Sequence, residues 1–260
     1  MPSNINFTKV ESAAYISIDR PASRNALLPD DVVEFTRLVN EAGSDPQVRV
    51  IVLGGEGNFC SGVDVGVFES IGSGRRWPQL GDFIFEVFEP LVHALSNAKK
   101  PSIALLDGIV AGAGLSMALN CDYRLATKKA KFIPAFSKLG LIPDCGGSWL
   151  LPRLLGHAKA MEFASIGTPA DAEKAKELGL VTWLVDSIDH IEIEERIAIV
   201  SALSTSGTTH LRRLLSESWS SSLSEALAAE RTAMSELGAG SDFREGLLAF
   251  QQRRSPEFEG

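Results

Sequence analysis

The chain has 260 residues, 45% hydrophobic and 22% charged, a globular composition for one large or two small domains. Its 25 Lys and Arg stand against 33 Asp and Glu, a net charge of −8 with no polybasic run, so nucleic acid and anionic membrane are poor partners. The longest uncharged stretch rich in apolar or small residues, 108–120, is broken by three glycines and falls short of the ~20 residues a membrane span needs.

The first twenty residues lack a basic start followed by an apolar core, so no export or organelle address is visible. Cys60, Cys121 and Cys145 are odd in number and scattered, as expected of reduced thiols in the cytoplasm. His93, His157, His190 and His210 show no metal-ligand spacing, and no metal site is expected.

In chain order, Tyr15-Ile16-Ser17-Ile18 alternates as a strand does and stops at Arg20-Pro21. After a turn over 21–25, Pro29-Asp30-Asp31 opens a helix carrying Val32, Phe35 and Val39 at helical spacing up to Gly43. The run VRVIVL, 48–53, reads as a strand buried on both faces, as in a parallel sheet. A glycine-rich loop, 54–66, leaves it. Phe83, Val87, Leu91 and Leu95 predict a helix interrupted or kinked at Pro90.

A strand over 102–106 precedes a second glycine-rich turn, 108–114, that opens a short helix over 115–120. Strands over 123–126, 131–133 and 181–185 and helices over 156–165 and 170–178 complete an alternating pattern, which implies an α/β fold. From Ile188 the pattern turns helical, with Leu211, Leu214, Leu215, then Leu223, Leu227, Met234, Leu237, then Phe243, Leu247, Phe250. The expected organisation is an α/β core over 1–200 and a helical C-terminal module over 201–260.

Two glycine-rich turns, 58–65 and 107–114, each follow a buried strand, where α/β folds place ligands. Glycine lets backbone N–H groups approach a ligand closely, and two such turns would form an oxyanion hole. The alternative is that the glycines serve only tight turns. Neither turn matches a phosphate-binding loop motif.

FCSGVD, DGIVAGAG, GLIPDCGGSWLLPRLLG, ADAEKAKELGLV and DFREGLLAFQQRRSPEF, in this order and over nearly the whole chain, resemble the enoyl-CoA hydratase/isomerase (crotonase) superfamily. The resemblance implies a spiral of ββα units with a helical C-terminal trimerisation region, a homotrimer or dimer of trimers, and acyl-CoA thioester substrates. It implies no separate cofactor, because coenzyme A is part of the substrate. It places the two oxyanion amides on Val63 and Ala113, the latter flanked by Gly112 and Gly114. Ala113 suits the role if its φ is negative.

Where hydratases of the family carry two glutamates, this chain has Ser116 and Phe136, neither of which is a base. A third family position, used by dienoyl-CoA and epoxyphenylacetyl-CoA isomerases, holds Asp144. Asp144 also has the position of an N-cap for the helix that follows, and cap and catalyst can coincide. Asp64 and Asp122 read as structural. The resemblance further points to coenzyme A contacts from Arg24, Ala26, Asp64 and Val65, and from Phe250 and Arg253 of a neighbouring subunit. Arg24 would pair with phosphate, unless it is a solvated surface side chain. Gly66 stands where hydratases have a Lys. Phe68, Phe83, Phe85 and Phe88 lie where the family's acyl pocket varies, although their spacing also suits plain core.

The expected activity is therefore acyl-CoA isomerisation, by ring-epoxide rearrangement or a β,γ to α,β double-bond shift. Enoyl-CoA hydration is the alternative, and a non-catalytic acyl-CoA-binding subunit is the reading from another class.

Overall fold

The computed structural model describes residues 4–71, 77–188 and 191–259, so His190 lies outside the described residues. Among the described residues, nine strands form two sheets: β1 (Ile5–Val10), β2 (Ala13–Ile18), β3 (Val50–Gly55), β4 (Ser102–Leu106), β5 (Ile109–Ala111), β6 (Tyr123–Thr127), β7 (Lys131–Ile133), β8 (Ala170–Asp171) and β9 (Trp183–Val185). The larger sheet runs β1-β2-β3-β4-β6-β9 and the smaller β5-β7-β8. The β1–β2 and β7–β8 pairs are antiparallel, and the other pairs of these strands are parallel.

Alternation along the central strands divides the apolar side chains between two faces. Ile51, Leu53, Ala104, Leu106 and Ala126 join the main core, where Val32, Phe35 and Val39 of the helix Pro29–Ser44 also pack. Val50, Val52, Ile103, Leu105 and Leu125 point the other way and are covered by Ile193, Ile197 and Val200 of the helix Ile191–Ser201. Cover on both faces explains why these strands read as continuous apolar runs.

Successive passes repeat one pattern. β4 leads to β5 and then to the helix Ala113–Leu119, while β6 leads to β7 and then to the helix Gly147–Leu155. The loop after β3 joins the same scheme, because Cys60 bridges Val110 of β5 in parallel. This is a spiral of ββα units followed by a helical region. After β9 the described residues form only helices, Ile191–Ser201, Thr205–Glu217, Leu223–Ala239 and Ser241–Gln252. Arg212 anchors the second of these to the core with a bidentate pair to Asp122 at 2.7 and 2.5 Å. Asp122 also accepts from the Ser102 N–H and hydroxyl at 2.7 and 2.9 Å, which confirms its structural role.

Several elements differ from their sequence signals. β1 gives almost none, because it is an edge strand with most of its length exposed. The interruption near Pro90 is a π-helical turn over Ile84–Phe88, between the helices Leu80–Phe83 and Glu89–Ser96. Proline lacks an N–H, and its ring clashes with the carbonyl four residues back, so the preceding turn widens. The predicted turn over 108–114 contains β5, and the predicted helix over 156–165 ends in a π-helical turn, Glu162–Ile166. The helix predicted over 170–178 begins only at Ala172, because Ala170–Asp171 pairs with β7.

Candidate active site

The two glycine-rich turns lie side by side. Cys60 donates to the Ile109 carbonyl at 3.0 Å and accepts from the Ala111 N–H at 2.9 Å, while Phe59 donates to Asp107 at 2.8 Å. On its other flank the first turn is fixed by Leu27, which donates to the Gly62 carbonyl at 2.8 Å and accepts from Asp64 at 2.9 Å. Because Gly62 and Asp64 turn their peptide groups toward Leu27, the alternation of the chain turns the Val63 N–H the opposite way.

Gly62, at φ 102°, lets the turns touch: a Cβ there would lie 3.3 Å from the Ala111 oxygen and 3.5 Å from the Ala113 nitrogen. The Val63 and Ala113 N–H groups have no hydrogen-bond acceptor among the described residues. Ala113 is nonetheless 3% exposed. Two buried or half-buried donors without acceptors are rare in folded proteins. Gly112, at φ 52° and ψ −131°, takes a backbone conformation that suits only glycine, while Ala113 keeps the negative φ that its side chain requires.

Val63 and Ala113 line a cavity of about 70 Å³ together with Phe68, Leu80, Ile84, Phe136, Leu139 and Asp144. Asp144 is the only titratable group lining it among the described residues. The Asp144 Oδ1 is buried without a hydrogen-bond partner among the described residues. Burial raises the carboxyl above its usual range, and the adjoining Cys145 thiol only partly offsets this. The same burial pushes the thiols of Cys60 and Cys121 up to about 12.

Asp144 is not a helix cap. The N-cap of the helix Gly147–Leu155 is Gly146, in a left-handed conformation and without a side-chain cap bond. Asp144 contributes only its carbonyl, which accepts from the Gly147 N–H at 2.7 Å. The sequence signal for a cap was misplaced by two residues, because Cys145 and Gly146 form a left-handed turn, φ 50° and 81°, before the helix starts.

Of the two residues at the hydratase glutamate positions, Phe136 lines the cavity. Ser116 is fully buried, its hydroxyl oxygen 2.7 Å from where a Cβ on Gly147 would lie. Phe68 reaches the cavity, whereas Phe83 and Phe88 pack edge to face in the core and Phe85 is exposed.

Asp64 caps the short helix Val65–Phe68 by accepting from the Gly66 N–H at 3.1 Å and pairs with Arg20 at 3.2 Å. Ala26 is buried, its carbonyl accepting from the Arg20 guanidinium, and Val65 is exposed. Arg24 is exposed and pairs with no carboxylate among the described residues, while its carbonyl accepts from the Ser61 N–H at 3.1 Å. Phe250 and Arg253 are exposed on the last helix and its cap and do not line the cavity of their own chain.

Sequence reasoning missed the asparagines that hold this site. Asn25, fully buried at φ 58°, donates to the Glu56 and Asn58 carbonyls at 3.2 and 2.5 Å and accepts from the Arg20 N–H at 2.8 Å. Asn58 accepts from the Ile109 N–H at 3.0 Å, joining one turn to the other. The usable signal is that Asn, among residues other than glycine, readily adopts the left-handed conformation and bonds nearby backbone.

The family model described as enoyl-CoA hydratase/isomerase matches residues 8–260. The chain is 34% identical over 247 residues to the 1,2-epoxyphenylacetyl-CoA isomerase of Escherichia coli strain K12, covering 94% of each chain. It is 35% identical over 258 residues to a probable enoyl-CoA hydratase of Rhodobacter capsulatus, covering 98% of each. A solved putative enoyl-CoA hydratase/isomerase from Mycobacterium abscessus superposes with a TM-score of 0.90 at 30% identity, over 98% of both chains. With the paired amide turns and the ββα spiral in place, the chain belongs to the enoyl-CoA hydratase/isomerase family, the crotonase superfamily.

Proposed function

We propose that the protein is an acyl-CoA isomerase, in which the Val63 and Ala113 amides hold the thioester oxygen and Asp144 moves a proton between two carbons. The observation that carries this reading is the lone carboxylate: Asp144 shares its cavity with both amides, and Ser116 and Phe136 supply no second acid or base. Moving a proton from one carbon to another needs one group that takes it and returns it. Adding water needs one group to activate the water and another to deliver a proton.

For a β,γ-unsaturated thioester, the Asp144 carboxylate removes a proton from the α-carbon. The electron pair moves into the carbonyl, and negative charge collects on the thioester oxygen between the two amides. Each preorganised donor contributes roughly 3 kcal/mol to such a transition state. The protonated Asp144 then returns its proton to the γ-carbon, the double bond settles between α and β, and no electron is gained or lost. A carboxyl raised by burial suits both halves of this cycle, being a stronger base than an exposed one and still able to release its proton. Ring-epoxide rearrangement draws on the same oxyanion site. The similarity to an epoxyphenylacetyl-CoA isomerase and the apolar lining from Phe68, Leu80, Ile84 and Phe136 support an acyl group of cyclic or aromatic type.

The enclosed space has room for the carbonyl and the first atoms of the acyl group. The rest of coenzyme A would lie outside it, toward Arg24 and Val65, with Phe250 and Arg253 supplied by a neighbouring subunit of a trimer. The test is turnover of a β,γ-enoyl-CoA, an epoxyphenylacetyl-CoA and an α,β-enoyl-CoA by the protein and by Asp144→Asn. The expected result is isomerisation without appreciable hydration, lost at least about a hundredfold in the variant with acyl-CoA affinity kept within about twofold. Hydration that survives the substitution would overturn the single-carboxylate mechanism. Tight coenzyme A binding without any product would favour the non-catalytic subunit.

A further inference from the structure

Asn120 caps the C-terminal end of the helix Ala113–Leu119, whose first residue carries one of the two free amides. Its Nδ2 donates to the Ser116 carbonyl of that helix at 2.8 Å and to the Cys145 carbonyl at 2.9 Å. Among the described residues, the bond to Cys145 is the only hydrogen bond between this helix and the turn that carries Asp144. A primary amide has two N–H bonds, and both are used.

The turn depends on an external tie. Cys145 sits at φ 50°, a conformation that a residue other than glycine or asparagine keeps only where its surroundings enforce it. Gly146 follows at φ 81°, and a Cβ there would lie 3.4 Å from both the Nδ2 and Oδ1 of Asn120, so the turn rests directly on this amide. Cys145 is itself buried, and without Asn120 its carbonyl would lose the partner that holds the peptide in place.

We propose that Asn120 is a positioning residue, whose amide holds the left-handed Cys145–Gly146 turn and thereby aims Asp144 at the cavity shared with Val63 and Ala113. The inference rests on Asp144 being the proton carrier. Asparagine meets the requirement because it offers two uncharged donors at the end of a short side chain. Aspartate would set a carboxylate against two carbonyl oxygens, and alanine would leave both without a side-chain donor.

The experiment is a double-mutant cycle on turnover of a β,γ-enoyl-CoA by the full-length protein, with Asn120→Ala, Asp144→Asn and the pair. Asn120→Ala is expected to lower kcat at least about tenfold with KM within about twofold, and to move the acidic limb of the pH–rate profile downward as Asp144 becomes hydrated. In the Asp144→Asn background the same substitution is expected to cost nothing further, because its effect passes through the missing carboxylate. Equal fractional losses in both backgrounds, or an unchanged kcat and pH profile, would overturn the role of Asn120. Full turnover by Asp144→Asn alone would instead overturn the reading of Asp144. Should Asn120→Ala not fold, Asn120→Ser carries the same cycle, since a hydroxyl reaches at most one of the two carbonyls.

Discussion

Gly114 rests on Cys60. A Cβ at Gly114 would lie 2.6 Å from the Cys60 Cβ and 2.7 Å from its carbonyl oxygen and its sulfur, so the helix bearing the Ala113 amide approaches the first glycine-rich turn as closely as backbone permits. Gly114→Ala must push the two turns apart. The expected result is a loss of stability of roughly 1–3 kcal/mol from overpacking, together with a fall in turnover larger than the fall in acyl-CoA affinity. Thermal unfolding and steady-state kinetics on the one variant measure both. A variant with unchanged midpoint and kcat would show that the turns are not held by this contact.

The fold was legible where burial imposes a pattern and obscure where it does not. The runs at 48–53 and 102–106 announced strands because both faces are covered, and Val32, Phe35 and Val39 announced the helix Pro29–Ser44 because one face is. The edge strand β1 and the three-residue β5 carry little such pattern. At the site, the glycines of the two turns were visible as letters, and the resemblance gave them a role. The Val63 and Ala113 amides were named only by the resemblance, since a free N–H follows from which neighbours the backbone meets and no side chain reports it. The cap reading of Asp144 failed for a similar reason: the left-handed Cys145 delays the helix, and cysteine carries no turn signal.

The raised carboxyl of Asp144 makes a prediction about stability. A carboxyl whose folded pKa lies above its unfolded value binds its proton more tightly in the native state. Folding is then favoured below the unfolded value, and that advantage is lost as pH rises through the folded value. Above the folded value the ionised, desolvated Asp144 destabilises the fold. Asp144→Asn is therefore expected to raise the unfolding midpoint at pH 7, with the gain shrinking as pH falls through the raised folded value and gone below the ordinary carboxylate range. Calorimetry at a series of pH values measures this, and a lower midpoint at pH 7 would show that the ionised carboxylate is compensated by its surroundings.

Hydration should appear only after carboxylates return to both vacant positions. Phe136→Glu puts a carboxylate on the cavity wall, and Ser116→Glu puts one beside Gly147. Each alone leaves one of the two positions at which the family's hydratases carry glutamates without a carboxylate, so measurable addition of water to an α,β-enoyl-CoA is expected of the double variant and of neither single one. Ser116 is fully buried, and its replacement will also cost stability through overpacking and a buried charge. Efficient hydration by the unsubstituted protein would refute the argument from the missing glutamates.

The C-terminal helices present an apolar surface that their own chain does not cover. Leu211, Leu215, Leu223, Leu227, Met234, Phe243 and Leu247 are 47–76% exposed, and Phe250 reaches 84%. Apolar groups recurring along three successive helices exceed the scattered exposure of a monomer's surface and call for a partner. A second copy of the chain is the proposed cover, and Phe250 and Arg253, which do not line the cavity of their own chain, would then complete the coenzyme A site of a neighbour. Ligand binding and subunit assembly would be linked, each stabilising the form that the other prefers. Truncation before Ser241 removes the last helix, and it is expected to lower both the oligomeric state and the affinity for coenzyme A. Light scattering combined with coenzyme A titration on the truncated chain measures the two together. A soluble, active monomer with full affinity would show that each chain builds its coenzyme A site alone, leaving the last helix without a role in ligand binding.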